Sequence, residues 1–328
     1  MKYAFAGTPE FAAWVLAHLV ALGRRPAVVI SQPDRPRGRG RRAAAPPVVV
    51  EAERLGLDCL QEADINDPAV VTRLEAAGVV TLVVAGFGQM LRQHLLDSLR
   101  CLNVHASLLP AYRGAAPIER ALAAGEPSIG VSIMRMVEGL DEGPWALRSS
   151  VCVGLRDDAG SVARVLAVLG ACGVDQVLTG LADGTISWTE QRGVPTYAAK
   201  LGPADQLLDT LQDARVVHDQ VRSLSPGVGA RAEAAGMGLK IWRTWPYGEP
   251  GLDPAPGPAA AVSGDPGRLK IWGDRLFVGC ASGMVEVLLM QPAGKGKMPT
   301  ADFLRGYAKR LGERLELPPI QEPPSRLE

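Results

Sequence analysis

Short apolar runs alternate with amphipathic stretches through the first half of the chain. The amphipathic spacing predicts a helix with Thr8 as its N-cap, Pro9 at its first position and Gly23 at its end, and a longer helix over 160–181. The apolar runs predict strands at 3–6, 27–30, 79–85, 101–105 and 129–136. Strands that alternate with helices indicate an α/β domain with a doubly wound, mostly parallel, Rossmann-like sheet, which we expect to span residues 1–188.

The second half of the chain has a different pattern. Periodicity weakens and turn formers accumulate after residue 185, which predicts a linker over 189–206. A helical pattern at 214–224 is then followed by short β-type runs at 239–244, 269–272, 276–280 and 285–290. Such strands predict a small barrel or sandwich over 207–315, with a surface loop at 248–267, a last helix at 300–311 and a tail at 316–328.

Composition narrows the class of protein. The 328 residues are 47% hydrophobic, enough for two domains. Lys plus Arg and Asp plus Glu number 35 each, so a polyanion must be bound by a local patch. No uninterrupted apolar run approaches the roughly 18 residues of a membrane helix, and the first residues do not follow a signal-peptide plan, so we expect a cytoplasmic protein. The five scattered cysteines are expected to be reduced, and no metal site is predicted.

The most informative polar pair ends one of the central strands. Asn103 and His105 are two residues apart, so an amide and an imidazole leave the same face of the sheet. They lie at the strand's carboxyl end, where open α/β sheets bind ligands. A lone histidine in this position more often satisfies loop backbone, and Asp141, between Gly139 and Gly143, would by itself indicate a turn aspartate. The interpretation of Asn103, His105 and Asp141 therefore depends on the segments next to them in the sequence.

Four separated motifs carry a resemblance to a known family. They are GTPEFA from Gly7, SQPDRP from Ser31, the run from Asn103 to Ile118 together with Asp141, and QPAGKGKM from Gln291. Together they resemble the folate-dependent formyltransferases over nearly the whole chain. Within that family, the members that act on methionyl initiator tRNA are the most similar.

The resemblance implies a reaction and a catalytic set. The chain is expected to transfer a formyl group from 10-formyltetrahydrofolate to methionyl initiator tRNA, as a monomer, using Asn103, His105 and Asp141. Attack of a neutral amine on the formyl carbon produces an oxyanion that needs a preorganised donor, and Asn103 can supply an amide N–H. His105 can donate to that oxygen or relay a proton. Asp141 can fix the imidazole tautomer or carry the proton from the amine to the departing folate nitrogen.

Two segments are expected to bind the folate. One matches the family's tetrahydrofolate segment and consists of Ser107, Leu108, Leu109 and Pro110. The other ends the preceding central strand, where small residues let a flat pterin approach the backbone, and consists of Gly86, Phe87 and Gly88. By themselves, a Leu-Leu-Pro segment is more typical of a core and paired glycines suggest a nucleotide loop. Leu91 stands where that loop would need a third glycine.

A run of arginines follows the second predicted strand. Five cations lie within eight residues: Arg35, Arg37, Arg39, Arg41 and Arg42. A charge run is usually a solvated loop, but this one is expected at the same sheet end as the catalytic residues. In the family the position is an inserted loop used for tRNA, and Arg39 matches its key arginine. We therefore expect the run to bind tRNA phosphates, with Lys295 and Lys297 adding contacts from an OB-like β-barrel.

Three other functions remain open on the sequence alone. A formyltransferase that acts on glycinamide ribonucleotide or an amino sugar nucleotide shares the chemistry but explains neither the arginine run nor the second domain. A nucleotide-binding oxidoreductase would need the missing glycine fingerprint. A catalytically silent RNA-binding module would bind tRNA without turnover.

Overall fold

The chain divides into an amino-terminal and a carboxy-terminal unit. The computed structural model describes residues 1–37 and 42–316. The amino-terminal unit comprises Met1–Pro117, Ser128–Cys152 and Val162–Ala199, and the carboxy-terminal unit comprises Ile118–Pro127, Val153–Ser161 and the chain from Lys200 onward. Residues 189–199, which the sequence placed in a linker, therefore group with the amino-terminal unit.

Eleven strands are described within the amino-terminal unit. In chain order they are β1 (Tyr3–Gly7), β2 (Val28–Ser31), β3 (Arg35–Arg37), β4 (Arg42–Ala44), β5 (Cys59–Gln61), β6 (Thr81–Ala85), β7 (Arg100–His105), β8 (Arg113–Gly114), β9 (Ser128–Arg135), β10 (Trp145–Cys152) and β11 (Tyr197–Ala198). The first six helices of the chain are α1 (Glu10–Ala21), α2 (Pro47–Arg54), α3 (Pro68–Ala76), α4 (Gln93–Ser98), α5 (Pro117–Ala123) and α6 (Ala159–Asp183).

Seven of these strands form one sheet, in the order β10-β9-β7-β6-β1-β2-β5. The neighbours from β7 to β5 are parallel, whereas β9 and β10 add to the edge antiparallel. β1 and β6 are buried along their whole length, as central parallel strands are when both faces are covered. The predicted α/β domain with a mostly parallel sheet is confirmed.

Helix α1 starts one residue later than the sequence indicated. Its N-cap is Pro9 and its first residue is Glu10, so the prediction that Thr8 caps the helix is wrong. The Thr8 hydroxyl instead donates a hydrogen bond to the carbonyl oxygen of Phe87, 3.2 Å away, in the segment after β6. The Thr8 hydroxyl is therefore engaged in a tertiary contact and does not cap the helix.

Helix α6 packs closely on the sheet through two glycines. A Cβ on Gly170 would lie 2.7 Å from Cγ1 of Val104, and one on Gly173 would lie 2.9 Å from Cγ1 of Ile133. By length and composition α6 could also cross a membrane, although Arg164 and Asp175 interrupt its apolar residues. In the structure 44% of that apolar window is buried.

The carboxy-terminal unit is built on an antiparallel sheet. Its strands are β12 (Ala230–Ala234), β13 (Met237–Tyr247), β14 (Leu269–Trp272), β15 (Arg275–Gly279), β16 (Met284–Pro292) and β17 (Met298–Pro299), and its further helices are α7 (Ala214–Ser223) and α8 (Thr300–Tyr307). The strand order is β12-β13-β16-β15-β14, and β17 pairs with β16. Apolar side chains of the helices and strands share one core, which includes Val217, Ile241, Val287 and Phe303.

The sequence predicted α7, α8 and four of these strands, but not β12 or the two-residue β17. Every buried position of β12 is an alanine, so its inward face carries too little apolar contrast to be recognised as a strand. The stretch 248–267, expected to be a loop, contains a short 3₁₀ helix at Gly257–Val262. The antiparallel sheet confirms the β-rich character of the second domain.

Candidate active site

Strand β7 presents the predicted amide and imidazole together. In the sheet register, Asn103 lies between Val84 and Met134, and His105 is opposite Ser132. Both side chains therefore leave the sheet near the carboxyl end of β7, on the face that the two-residue spacing predicted. The His105 side chain is buried, with 5% of its surface exposed, and Asn103 is half-buried.

Asp141 approaches both residues from the loop between β9 and β10. Its Oδ1 accepts a hydrogen bond from Nδ2 of Asn103 at 3.2 Å, and its Oδ2 accepts one from the backbone N–H of Gly114 at 2.9 Å. The backbone of Asp141 is in the left-handed region, with φ of 52°. That conformation costs a non-glycine residue about 1–2 kcal/mol, so neighbouring contacts must hold it.

The imidazole of His105 is held at one nitrogen and faces Asp141 with the other. Its Nε2 is 2.9 Å from the carbonyl oxygen of Tyr112, and because a carbonyl only accepts, Nε2 carries the hydrogen. Its Nδ1 lies 3.5 Å from Oδ2 of Asp141. The three residues expected to form the catalytic set are thus neighbours, and Nδ1 of His105 faces the Asp141 carboxylate.

Two polar residues support this constellation and were not singled out from the sequence. The Gln191 side chain contacts the Asp141 turn, and Arg113 bonds to both Gln191 and Glu142. Arg113 lies within the motif that follows His105, so its position was a usable signal. Gln191 lies in the stretch whose weak periodicity suggested a linker, and no local pattern marks it.

The segment after β6 that was predicted to bind the pterin exposes its backbone, whereas the aromatic ring of Phe87 is buried. Gly86 and Gly88 are exposed, whereas the Phe87 side chain is 2% exposed and belongs to the core of the unit. The Phe87 carbonyl accepts hydrogen bonds from Thr8 and from Nε2 of Gln32, the latter at 2.6 Å. These bonds fix the segment, so any contact that Phe87 makes with a ligand there would come from its backbone.

The second expected folate segment is tied to the sheet by a serine. Oγ of Ser132 donates to the Ser107 carbonyl at 2.6 Å and accepts from the Leu109 N–H at 3.1 Å. The Leu108 side chain packs against Gly130 of β9, where a Cβ would come within 2.4 Å of it. Leu109 is fully buried, whereas Leu108 and Pro110 are half-buried and can line a ligand site.

Three arginines of the run, Arg35, Arg37 and Arg42, lie on the paired strands β3 and β4 of a hairpin. β3 and β4 pair antiparallel, with Arg37 opposite Arg42. Arg35, at the base of the hairpin, is exposed and donates a hydrogen bond to Oε1 of Gln32. Arg39 and Arg41 lie outside the described residues, so the predicted role of the run stays a prediction.

The two lysines expected to contact tRNA, Lys295 and Lys297, lie just before β17. Lys297 has its ammonium 3.3 Å from the centre of the Trp242 ring and donates to the Pro226 carbonyl at 3.4 Å. Partial burial, and then the charge of Lys240, lower the pKa of Lys297. Lys295 is exposed. Of the two, Lys295 has the side chain more readily offered to a phosphate.

Comparisons with known proteins agree over both units. A family model described as formyl transferase matches residues 1–178, and one described as formyl transferase, C-terminal domain, matches residues 200–308. A methionyl-tRNA formyltransferase from Rubrobacter xylanophilus is 48% identical, covering 94% of this chain and 98% of its own length. One from Heliobacterium modesticaldum is 40% identical, covering 95% of this chain and 98% of its own length.

Two solved structures share the fold. HypX from Aquifex aeolicus, in complex with tetrahydrofolic acid, matches with a TM-score of 0.62 at 16% identity over 98% of this chain. This chain spans only about half of HypX, 51% of its length. WlaRD, a sugar 3N-formyl transferase, matches with a TM-score of 0.61 at 14% identity, over 90% of this chain and 99% of its own length. At such identities the two structures support the fold alone.

Proposed function

The chain belongs to the formyl transferase family, and on that premise we propose that it transfers the formyl group of 10-formyltetrahydrofolate to the amino group of methionyl initiator tRNA. The observation that carries the proposal is the convergence of Asn103, His105 and Asp141 at the carboxyl end of β7. Relatives of 36% to 48% identity that are named for this reaction favour the tRNA acceptor over a small amine. The enzyme acts as a monomer in the cytoplasm, where its tRNA substrate is found.

Asn103 stabilises the charge that develops during attack. The amine nitrogen forms a bond to the formyl carbon, and the formyl oxygen becomes an oxyanion. One Nδ2 hydrogen of Asn103 is used on Asp141, and the second is the donor for that oxygen. Because Asp141 holds the amide in place before substrate arrives, the donor needs little reorganisation.

Asp141 moves the proton, and His105 supports its carboxyl group. The amine must lose a proton as its bond to carbon forms, and the folate nitrogen N10 must gain one as its bond to the same carbon breaks. Asp141 takes the first proton and delivers the second, and while it carries that proton it can donate a hydrogen bond to Nδ1 of His105. The 3.5 Å between Nδ1 and Oδ2 exceeds a normal hydrogen bond and is of the kind that tightens when substrate binds.

The residues present fit a folate donor. Gly86 and Gly88 are exposed, so a flat ring can approach the backbone after β6, and half-buried Leu108 and Pro110 provide an apolar wall after β7. Both segments follow neighbouring strands of one sheet at the same end, beside Asn103. Ser107 and Leu109 act through the backbone that they anchor.

The acceptor tRNA is bound by charge on both units. The arginine hairpin binds phosphates near the catalytic residues. Residues 207–315 form an OB-like barrel that serves as a second tRNA platform, where exposed Lys295 and the Lys297 beside Trp242 contribute. The balanced net charge of the chain makes these patches, and not its overall field, the source of affinity.

The proposal is tested by supplying purified protein with 10-formyltetrahydrofolate and methionyl initiator tRNA and measuring formylmethionyl-tRNA. Asn103→Ala should lower kcat by about 100- to 1,000-fold, the usual effect of removing an oxyanion donor. His105→Ala should also be strongly impaired. His18→Ala, on α1 and remote from these contacts, serves as the histidine control and should keep wild-type activity. No product from wild-type protein, or a fully active Asn103→Ala, would contradict the proposal.

A further inference from the structure

The turn that carries Asp141 is clamped by the side chain of a residue 50 positions later in the chain. Nε2 of Gln191 donates one hydrogen bond to the Asp141 carbonyl at 2.7 Å and another to the Gly143 carbonyl at 2.8 Å. Both hydrogens of the amide are thus used on the two ends of one turn. We infer that Gln191, oriented by Arg113, is a positioning residue for formyl transfer that acts through Asp141.

The orientation of the Gln191 amide is determined by its partners. Oε1 of Gln191 accepts from Nε of Arg113 at 3.2 Å and from Nη2 at 2.8 Å. A guanidinium only donates and a carbonyl only accepts, so the oxygen must face Arg113 and the nitrogen must face the turn. Arg113 is buried and has its third contact with Oε1 of Glu142, at 3.1 Å.

Arg113 also connects the clamp to the other side of the site. It stands between Tyr112, whose carbonyl holds His105, and Gly114, whose N–H holds Oδ2 of Asp141. These residues are fixed from outside by β11, where Tyr197 pairs with Arg113 and Ala198 with Gly114. The guanidinium and the amide therefore set the distance between the imidazole and the carboxylate.

The backbone conformation of Asp141 explains why a clamp is needed. Its φ of 52° is unfavourable for a residue with a side chain, and it persists only while surrounding contacts hold the turn. Without the two bonds from Gln191, the turn can relax toward an ordinary backbone conformation. Its carboxylate would then leave Asn103 and His105, although the rest of the sheet would remain folded.

The inference rests on the proposed function and is tested in the same formylation assay with full-length protein. Gln191→Ala should lower kcat by up to about 100-fold, the effect of roughly 1 Å of misplacement, while KM for folate and tRNA changes less than about threefold. Gln191→Glu keeps the contact with Arg113 and the side-chain volume, so it should stay folded, and it should lose kcat similarly because it lacks the two donors.

The control is Gln220, a glutamine elsewhere in the chain whose side-chain amide makes the same kinds of hydrogen bonds. Nε2 of Gln220 donates to the carbonyls of Asp205 and Leu207, and its Oε1 accepts from the Asp209 N–H. Gln220→Ala should lower the melting temperature about as much as Gln191→Ala does and should leave kcat within twofold of wild type. A merely structural role for Gln191 would make the two variants alike in kcat, which would overturn the inference.

A double-mutant cycle shows whether Gln191 acts through Asp141. Single-turnover rates with enzyme in excess are compared for Asp141→Asn with and without Gln191→Ala. If the inference holds, the second substitution costs little once the carboxylate is gone. A full additional loss in the Asp141→Asn background would overturn it. An inactive wild-type enzyme would count against the proposed function, whereas an active wild type with an equally active Gln191→Ala counts against the clamp alone.

Discussion

Replacing Gly143 with alanine would perturb the Asp141 turn by a single methyl group. A Cβ at this position would lie 1.8 Å from the carbonyl oxygen of Arg135. Ordinary van der Waals contact begins at 3.4 Å, so the two backbones must separate by about 1.6 Å. Arg135 ends β9, which is paired with β7 and β10. The loop that carries Asp141 must therefore take up most of the movement.

The size of the effect follows from that displacement. A shift of about 1 Å in a catalytic group can cost roughly 100-fold in rate, so we expect kcat for formyl transfer to fall at least about 100-fold. Overpacking of this kind usually lowers the free energy of unfolding by about 1–3 kcal/mol. KM for the folate should change little, because Gly143 lies in the loop between β9 and β10. The segments proposed to bind the folate follow β6 and β7 instead.

The measurement combines single-turnover formylation with thermal unfolding. Gly306→Ala is the matched control, because within the described part of the chain no atom beyond its own helix lies within 4 Å of a Cβ there. Alanine in that helix should stabilise the protein by up to about 1 kcal/mol and leave kcat unchanged. A folded Gly143→Ala enzyme with wild-type kcat would refute the link between the geometry of this turn and catalysis.

Three further predictions concern stability and tRNA binding. Asp219→Ala should lower the free energy of unfolding by about 3–5 kcal/mol, because it leaves the buried Arg222 guanidinium without its carboxylate; a loss below about 1 kcal/mol in urea denaturation would contradict this. Burial lowers the pKa of His218 to about 4, below its ordinary 6.5, so as pH falls the unfolded chain binds the proton first. Melting temperature should therefore decline from about pH 6.5 toward pH 4, and His218→Gln should flatten that decline. Replacing Arg39 and Arg42 together by alanine should weaken tRNA binding and reduce its salt dependence with folate affinity nearly unchanged, whereas equal loss of both affinities would argue against a phosphate-binding hairpin.

The first part of the site could be predicted from the sequence because it depends on local geometry. Asn103 and His105 share a face by the two-residue period of a strand, and an apolar run places them at its end. The same reasoning located β1, β6 and α6 within a few residues. In each case the pattern and the structure are set by neighbours along the chain.

The rest of the site depends on contacts between distant residues. Asp141 meets Asn103 only because β9 returns antiparallel beside β7, and Gln191 reaches the turn from a stretch with no periodicity. Thr8 looked like a helix cap because its partner, the Phe87 carbonyl, is 79 residues away. Such contacts are decided by tertiary structure, which local propensity does not encode.

The position of α6 along the chain has a consequence for synthesis. Every strand of the seven-stranded sheet precedes α6, so all of them leave the ribosome before the helix that packs on Val104 and Ile133. That apolar face remains in contact with water until the exit tunnel has released Gly170 and Gly173. Nascent chains stalled before this point are expected to aggregate or to recruit chaperones, and chains stalled after residue 183 are expected to do so much less.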